Sequence, residues 1–122
     1  MSEYFFDSYA LIEIIKGNPK YFKYSEKAVI ITWLNLVEVA YSTFLDHGEE
    51  KAKNVYDIFK DCVENFDWTI TLNALKLKQK YKKRNLSYAD CLGYAFAKER
   101  GLIFLTGDSG FEDLENVEFV KS

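Results

Sequence analysis

A mostly parallel α/β domain, with helices on both faces of its sheet, is the fold class this sequence predicts. Short continuous apolar runs alternate with longer stretches of helical period, and the 122-residue chain is 48% hydrophobic, enough for one continuous core. Ten Phe, nine Tyr and two Trp supply much of that material, so large rings should dominate the burial. Residues 1–122 read as a single domain, without internal repeat, low-complexity tract or linker.

The first apolar run, Tyr4-Phe5-Phe6, is a buried strand stopped by Asp7, and the second, Ala28-Val29-Ile30-Ile31, is a β-branched strand stopped by Thr32. Thr32 is a good N-cap for a helix over 33–46, which ends at His47-Gly48, where a glycine C-cap is expected. Residues 49–63 read as the next helix. Phe66-Asp67-Trp68-Thr69 reads as a short strand, and Thr71 as the cap of a helix to about Arg84, with basic residues in its last turns as the helix dipole prefers. After a break at Asn85-Leu86, Ser87 caps a compact helix over 88–100 that ends at Gly101. The clearest strand, Leu102-Ile103-Phe104-Leu105, comes next. Thr106-Gly107-Asp108-Ser109-Gly110 then leads through a short helical turn to a last strand, Val117-Glu118-Phe119-Val120.

Sixteen basic against 19 acidic residues leave a net charge of −3, which offers no overall attraction to nucleic acid or anionic membrane. Any nucleic-acid contact must come from a local patch. Cys62 and Cys91 form no C-x-x-C pair and read as core thiols, and His47 is the one histidine, so zinc and dithiol chemistry lack their usual components. No basic leader precedes Tyr4 and no later stretch is apolar enough to span a bilayer, so no membrane association and a cytoplasmic location are expected.

Ligands of open parallel sheets bind beyond the carboxyl ends of the strands. Asp7 directly follows the first strand, and Asp108 lies just after the strand ending at Leu105, although the two are far apart in sequence. Either one alone could simply cap the next helix. Glu38 has Leu34, Tyr41 and Leu45 as helical neighbours, which puts a carboxylate on a largely apolar face, and no Lys or Arg occurs between Ala28 and Glu50 to pair with it. A partly exposed glutamate at a helix edge is the plainer account. Asp90 is the one charged residue from Tyr88 to Ala97, with Gly93 a turn later to permit close approach. A first-turn acid favoured by the helix dipole competes with a functional role there.

Four carboxylates in one crevice would repel by about 3–4 kcal/mol per close pair at a protein-like effective dielectric, so the site needs a cation or a proton. Oxygen-only ligands select hard ions, Mg²⁺ or Mn²⁺, over zinc. Such an ion can align an attacking water and neutralise charge on a scissile phosphodiester.

The order Asp7, Glu38, Asp90, Asp108 and the segments around these acids make the chain resemble the PIN-domain nucleases, especially the VapC-type toxin ribonucleases. The resemblance covers nearly the whole length. It is carried by Phe6-Asp7-Ser8-Tyr9-Ala10-Leu11-Ile12, Asn35-Leu36-Val37-Glu38, Leu86-Ser87-Tyr88-Ala89-Asp90, and Leu105-Thr106-Gly107-Asp108 followed by Phe111. It implies a three-layer α/β/α sandwich around a five-stranded, mostly parallel sheet. It also implies an Mg or Mn site for RNA cleavage, a homodimer, and a small antitoxin partner in a type II toxin–antitoxin pair. Asp7, Glu38, Asp90 and Asp108 carry over as metal ligands or water-positioning acids, with Ser8 and Thr106 as polar supports. Two departures stand out: Ser8-Tyr9 where many relatives have Thr-Asn, and Gly107 where many have a basic residue. Asp113 is either a further acid near the site or an exposed turn residue.

The basic run Lys76, Lys78, Lys80, Lys82, Lys83, Arg84 is the place where this acidic chain could hold an RNA backbone, with Lys82, Lys83 and Arg84 the candidates nearest the break. Successive i, i+2 lysines do not share one helix face, so an ordinary solvated helix end is the alternative. A receiver-type signalling domain of similar length fits poorly, because Asp7 has no acidic neighbour and Ile31 leads to Thr32 rather than to Asp. The remaining alternative keeps the fold without the toxin role: a PIN-like RNA-processing module, or one that binds RNA or a partner without cutting.

Overall fold

Strand β1 (Tyr4–Phe6) pairs in parallel with β2 (Ile103–Thr106), and β2 in parallel with β3 (Val117–Phe119), so chain segments a hundred residues apart lie side by side. The computed structural model describes residues 3–122. Period-2 alternation sends successive side chains to opposite faces. Phe5 and Phe104 therefore face one helical layer, where they meet Phe96 and Phe111, while Phe6 and Leu105 face the other, with Leu11, Tyr21, Leu36 and Val39. Helix α5 (Tyr88–Arg100), joined by α4 (Trp68–Lys80), covers the first face, and α1 (Ser8–Ile15), α2 (Trp33–His47) and α3 (Glu49–Phe59) cover the second. The result is the expected three-layer sandwich.

Among the described residues the sheet has three strands, not five. The segment expected as a strand at 28–31 is represented by Ile31 alone, in a parallel bridge to Val63, and the Phe6 amide donates to the Ile30 carbonyl at 3.0 Å. Two bridge-length segments thus continue the sheet beyond β1 without becoming strands. The reason is local: Thr32 begins to cap α2 immediately after Ile31, and a 3-10 turn, Lys60–Cys62, occupies the residues before Val63. Neither side offers enough extended backbone for a ladder to propagate.

Phe66-Asp67-Trp68-Thr69 is not a strand, because the Asp67 carboxylate accepts the Ile70 amide at 3.1 Å and starts α4 at Trp68. Thr71 lies inside that helix, its hydroxyl bonded back to the Asp67 carbonyl at 2.9 Å. Helix α4 stops at Lys80; Lys82–Arg84 is a separate 3-10 turn, closed by Asn85 in the left-handed region at φ 57°. Helix α3 likewise ends at Phe59 rather than 63. Between Asp7 and Ala28, where the sequence reading assigns no element, α1 is followed by a 3-10 segment, Pro19–Tyr24, that buries Tyr21 and Tyr24 in the second core layer. Cys91 is buried and Cys62 half-buried, and both are free thiols. No helix among the described residues is long and apolar enough to cross a membrane.

Candidate active site

Asp7 is 1% exposed at the carboxyl end of β1, and its amide donates to the Leu105 carbonyl at 3.0 Å, which fixes it beside the end of β2. One carboxylate oxygen accepts the Ser8 amide at 2.9 Å, and the other accepts the Thr106 hydroxyl at 2.6 Å. The same hydroxyl oxygen accepts the Asp108 amide at 3.0 Å, so one buried side chain joins the first acid to the turn carrying the last. Asp108 caps that turn by accepting the Gly110 amide at 2.9 Å.

The second acid is aimed from α2. Thr32 and Asn35 form a reciprocal capping box at the start of that helix, both fully buried. The Asn35 amide group donates to the Ser8 hydroxyl at 3.0 Å, and that hydroxyl donates to the Glu38 carboxylate at 2.6 Å. Glu38 is half-buried. The apolar face expected to bury it is itself exposed: Leu34, Tyr41 and Leu45 point outward, while Leu36 and Val39 form the core side of α2. Glu38 sits on the boundary between these faces, with Ser8 as its polar anchor.

Asp90 belongs to a second capping box: its carboxylate accepts the Ser87 amide at 2.9 Å, and its own amide donates to the Ser87 hydroxyl at 3.0 Å. Gly93, one turn on, explains how α5 can bring Asp90 to the sheet. A Cβ there would stand 2.6 Å from a carbon of the Phe5 ring, which is wholly buried against Phe96 and Phe104 and has nowhere to go.

These residues sense one another electrostatically. Burial, then the Asp90 charge, pushes the Asp7 carboxyl well above its usual range, with Asp108 adding to it against the pull of the Thr106 and Ser8 donors. Burial and the Asp108 charge raise Asp90 against its two Ser87 hydrogen bonds, and burial and the Asp90 charge raise Glu38 against its Ser8 bond. All four acids thus belong to one field at the carboxyl edge of the sheet. The capping roles are also real for Asp7, Asp90 and Asp108, so the plain and the functional accounts of these residues coexist. Thr32 caps α2 as the sequence predicts, and Asn35 is a further support, its contact with Ser8 not foreseen although the Thr-x-x-Asn spacing of a capping box was there to find.

The four ion pairs among the described residues involve Asp57, Asp113 and Glu115, and none involves the four acids. Among the described residues no cation forms an ion pair with these acids, and their donors are oxygen alone, a set that fits Mg²⁺ or Mn²⁺. Among the described residues no three acidic, histidine or cysteine side chains already stand as a metal cage. The fit therefore rests on donor chemistry and uncompensated charge.

Asp108 opens onto a cleft of about 560 Å³ that also contains Arg84, Ser109, Gly110, Glu112 and Asp113. Asp113 is exposed and paired with Arg84 through two contacts of 2.7 and 3.0 Å, which makes it a turn residue with its own partner. Arg84 also donates to the Gly110 carbonyl at 2.9 Å, whereas Lys82 and Lys83 are exposed and enter no ion pair among the described residues. The two departures at Tyr9 and Gly107 meet in space. A Cβ at Gly107 would run into the Tyr9 ring and lie 2.6 Å from the Val120 carbonyl oxygen, so the ring occupies the room a side chain at 107 would need.

A three-layer α/β chain with acids gathered beyond its parallel strands defines a class, and comparison with known proteins narrows it. The PIN domain profile matches residues 4–117. This chain belongs to the PIN-domain family. No curated protein matches its sequence significantly. Among solved structures it resembles the Mycobacterium tuberculosis toxin VapC20, described as cleaving the sarcin–ricin loop, with a TM-score of 0.78, 17% identity and 98% of each chain covered. It also resembles a toxin–antitoxin complex from Klebsiella pneumoniae, with a TM-score of 0.75, 19% identity, and 98% of this chain and 100% of the other covered. A third similar structure is VapBC2 from Rickettsia felis bound to a DNA fragment of its promoter, with a TM-score of 0.70, 17% identity and 98% of each chain covered.

Proposed function

We propose that this chain is one metal-dependent endoribonuclease domain, acting in the cytoplasm as the toxin of a type II toxin–antitoxin pair. The observation that carries the reading is the shared field of Asp7, Glu38, Asp90 and Asp108: the first three are raised by burial and by neighbouring acids of the set, and none of the four is in an ion pair among the described residues. A bound Mg²⁺ or Mn²⁺ would neutralise charge on the scissile phosphodiester and activate water toward it. The chain's own part is to hold the acids in place. Thr106 and Ser8 keep the Asp7 carboxylate directed, Ser8 does the same for Glu38, and the Ser87 box does so for Asp90. Because water is the nucleophile in this reading, the reaction is hydrolysis without a covalent enzyme intermediate.

The toxin role has support from surface chemistry as well as from the structural likenesses. Trp33, Tyr41, Phe44 and Tyr56 are exposed on α2 and α3, not buried in the core of this chain, with Trp33 and Tyr56 stacked at 6.0 Å. They suit the apolar side of a small antitoxin helix or of a second copy in a homodimer. An antitoxin that delivered an Arg or Lys to the acids would compete with the metal through charge-assisted hydrogen bonds.

The experiment is an RNA cleavage assay with Mn²⁺, Mg²⁺ or chelator, on the wild type and on Asp7→Asn and Asp90→Asn. Cleavage that requires the ion and is lost in both variants, with their folds intact, is expected; wild-type rates in both would sink the site. Co-expression with the protein encoded by the adjacent reading frame tests the toxin role. Growth arrest relieved by that neighbour, and absent in Asp7→Asn, is the expected result; harmless expression without a co-purifying small protein would favour RNA processing.

A further inference from the structure

The basic run after residue 75 does not act as one stripe, because the fold sorts it. Lys78 turns inward, donating to the Leu86 carbonyl at 2.6 Å and lying over the Tyr88 ring, so it is occupied in holding the loop before α5. Lys76 and Lys80, spaced i, i+4 near the end of α4, share its other side, and Arg84 follows in the separate 3-10 turn, where it and Lys80 meet at the Tyr81 ring. Lys76 and Lys80 join Lys98 of α5 around a cleft of about 410 Å³ floored by Leu77, Tyr94 and Ala95, in which Glu99 is the one acid. Arg84 stands in the next cleft along, the one that contains Asp108. Between the two lies Tyr81, half-exposed, with the Lys80 ammonium 5.3 Å and the Arg84 guanidinium carbon 4.2 Å from its ring centre.

Cations gathered around a half-exposed ring are chemistry that can hold a single-stranded backbone while a base stacks, the base taking the place of one of the cations that cover the Tyr81 ring. A duplex would shield its bases from such a ring. Lys98 is paired with Glu115 in an exposed contact that contributes little, so a phosphate can take that carboxylate's place at small cost, whereas Arg84 holds Asp113 by two contacts and the Gly110 carbonyl by a third, and meets a phosphate by giving up part of that set. From Lys76 to Lys80 is about 6 Å at helical rise, about two stacked nucleotides, and the turn that carries Arg84 extends the track beyond that.

We propose that Lys76, Lys80, Lys98 and Arg84, with the Tyr81 ring among them, form a track that leads single-stranded RNA from the end of α4 over the turn that follows it into the cleft at Asp108. This deepens the ribonuclease reading and rests on it for the identity of the substrate. The track also accounts for how a net-acidic protein approaches a polyanion: its cations lie to one side of the acids and converge on them through Arg84.

The test is anisotropy of a labelled single-stranded RNA with the full chain in chelator, as a function of salt, for wild type, Lys76→Gln/Lys80→Gln, and the equally charged control Lys27→Gln/Lys51→Gln. The track predicts about tenfold weaker binding for the first pair at low salt and a salt slope shallower by about 1.4, at about 0.7 per lost phosphate contact, with the control near wild type. Tyr81→Leu should weaken binding several-fold without changing that slope. Equal losses in the control pair, no loss in the track pair, or the same behaviour with duplex RNA would each overturn the proposal. Cleavage of the same RNA with Mn²⁺ separates the two readings. An unaffected track pair in a chain that cuts removes only the track, and a chain that binds through these lysines yet never cuts removes only the nuclease.

Discussion

Thr106→Val keeps the shape of a fully buried residue and deletes one hydroxyl, which makes it a clean probe of how the acids are held. That hydroxyl donates to the Asp7 carboxylate at 2.6 Å and accepts the Asp108 amide at 3.0 Å. A hydrogen bond to a charged group contributes about 1.5–3 kcal/mol, and the amide left without a partner adds about 1 kcal/mol at a half-exposed position. The variant should therefore lose about 2.5–4 kcal/mol when Asp7 is ionised, or about 10–16 °C in Tm for a chain of this size. The loss must also depend on pH. Asp7 already has a raised pKa, from burial first and then from Asp90, and removing a donor to the charged form raises it further. A raised folded-state pKa contributes stability that is present below the unfolded value of 3.8 and lost as pH rises through the folded one. Denaturant titrations at acid and at mildly alkaline pH should show a small deficit in the first and the full deficit in the second. A deficit flat with pH, or none at all, would refute the view that Thr106 supports an ionised Asp7.

Asp90→Asn retains an acceptor for the Ser87 amide while removing charge from the middle of the cluster, so without metal it should melt higher than wild type at neutral pH and no higher in acid; an unchanged Tm at neutral pH would mean that repulsion among the acids is negligible. Millimolar Mn²⁺ should raise the wild-type Tm by mass action, and less so for Glu38→Gln, as differential scanning fluorimetry would read; an equal shift would place the ion elsewhere. Because Asp7, Glu38 and Asp90 all hold protons more tightly than free carboxyls, Mn²⁺ binding should weaken as pH falls and should release protons, seen in calorimetry as a heat that depends on the buffer.

Elements whose signals are local could be read from the residues alone. Ser87 and Gly101 bound α5 because a hydroxyl one residue before a helix and a glycine free to adopt φ 67° one residue after it act within a single turn. The runs at Tyr4–Phe6 and Ile103–Thr106 were legible as strands because both of their faces are buried, which leaves no polar alternation. The order of the four acids and their flanking residues was enough to mark the resemblance to the PIN-domain family. Tertiary structure decided what depends on distance. Whether Ala28-Val29-Ile30-Ile31 becomes a strand turns on how much extended backbone its neighbours leave it, and Thr32 and the turn before Val63 leave one bridge. Propensity could not tell that Asp67 would outcompete Thr71 as a cap. Nor could helical spacing tell which apolar face of α2 is covered: the one that carries Glu38 is exposed, and Glu38 is the half-buried glutamate at a helix edge that the sequence offered as the plainer account. The sharing of one hydroxyl between Asp7 and Asp108 joins positions a hundred residues apart, and so does the fit of the Tyr9 ring into the space left by Gly107. Such pairings have no sequence period, because it is the register of β1 on β2 and the close approach of α5 at Gly93 that create them.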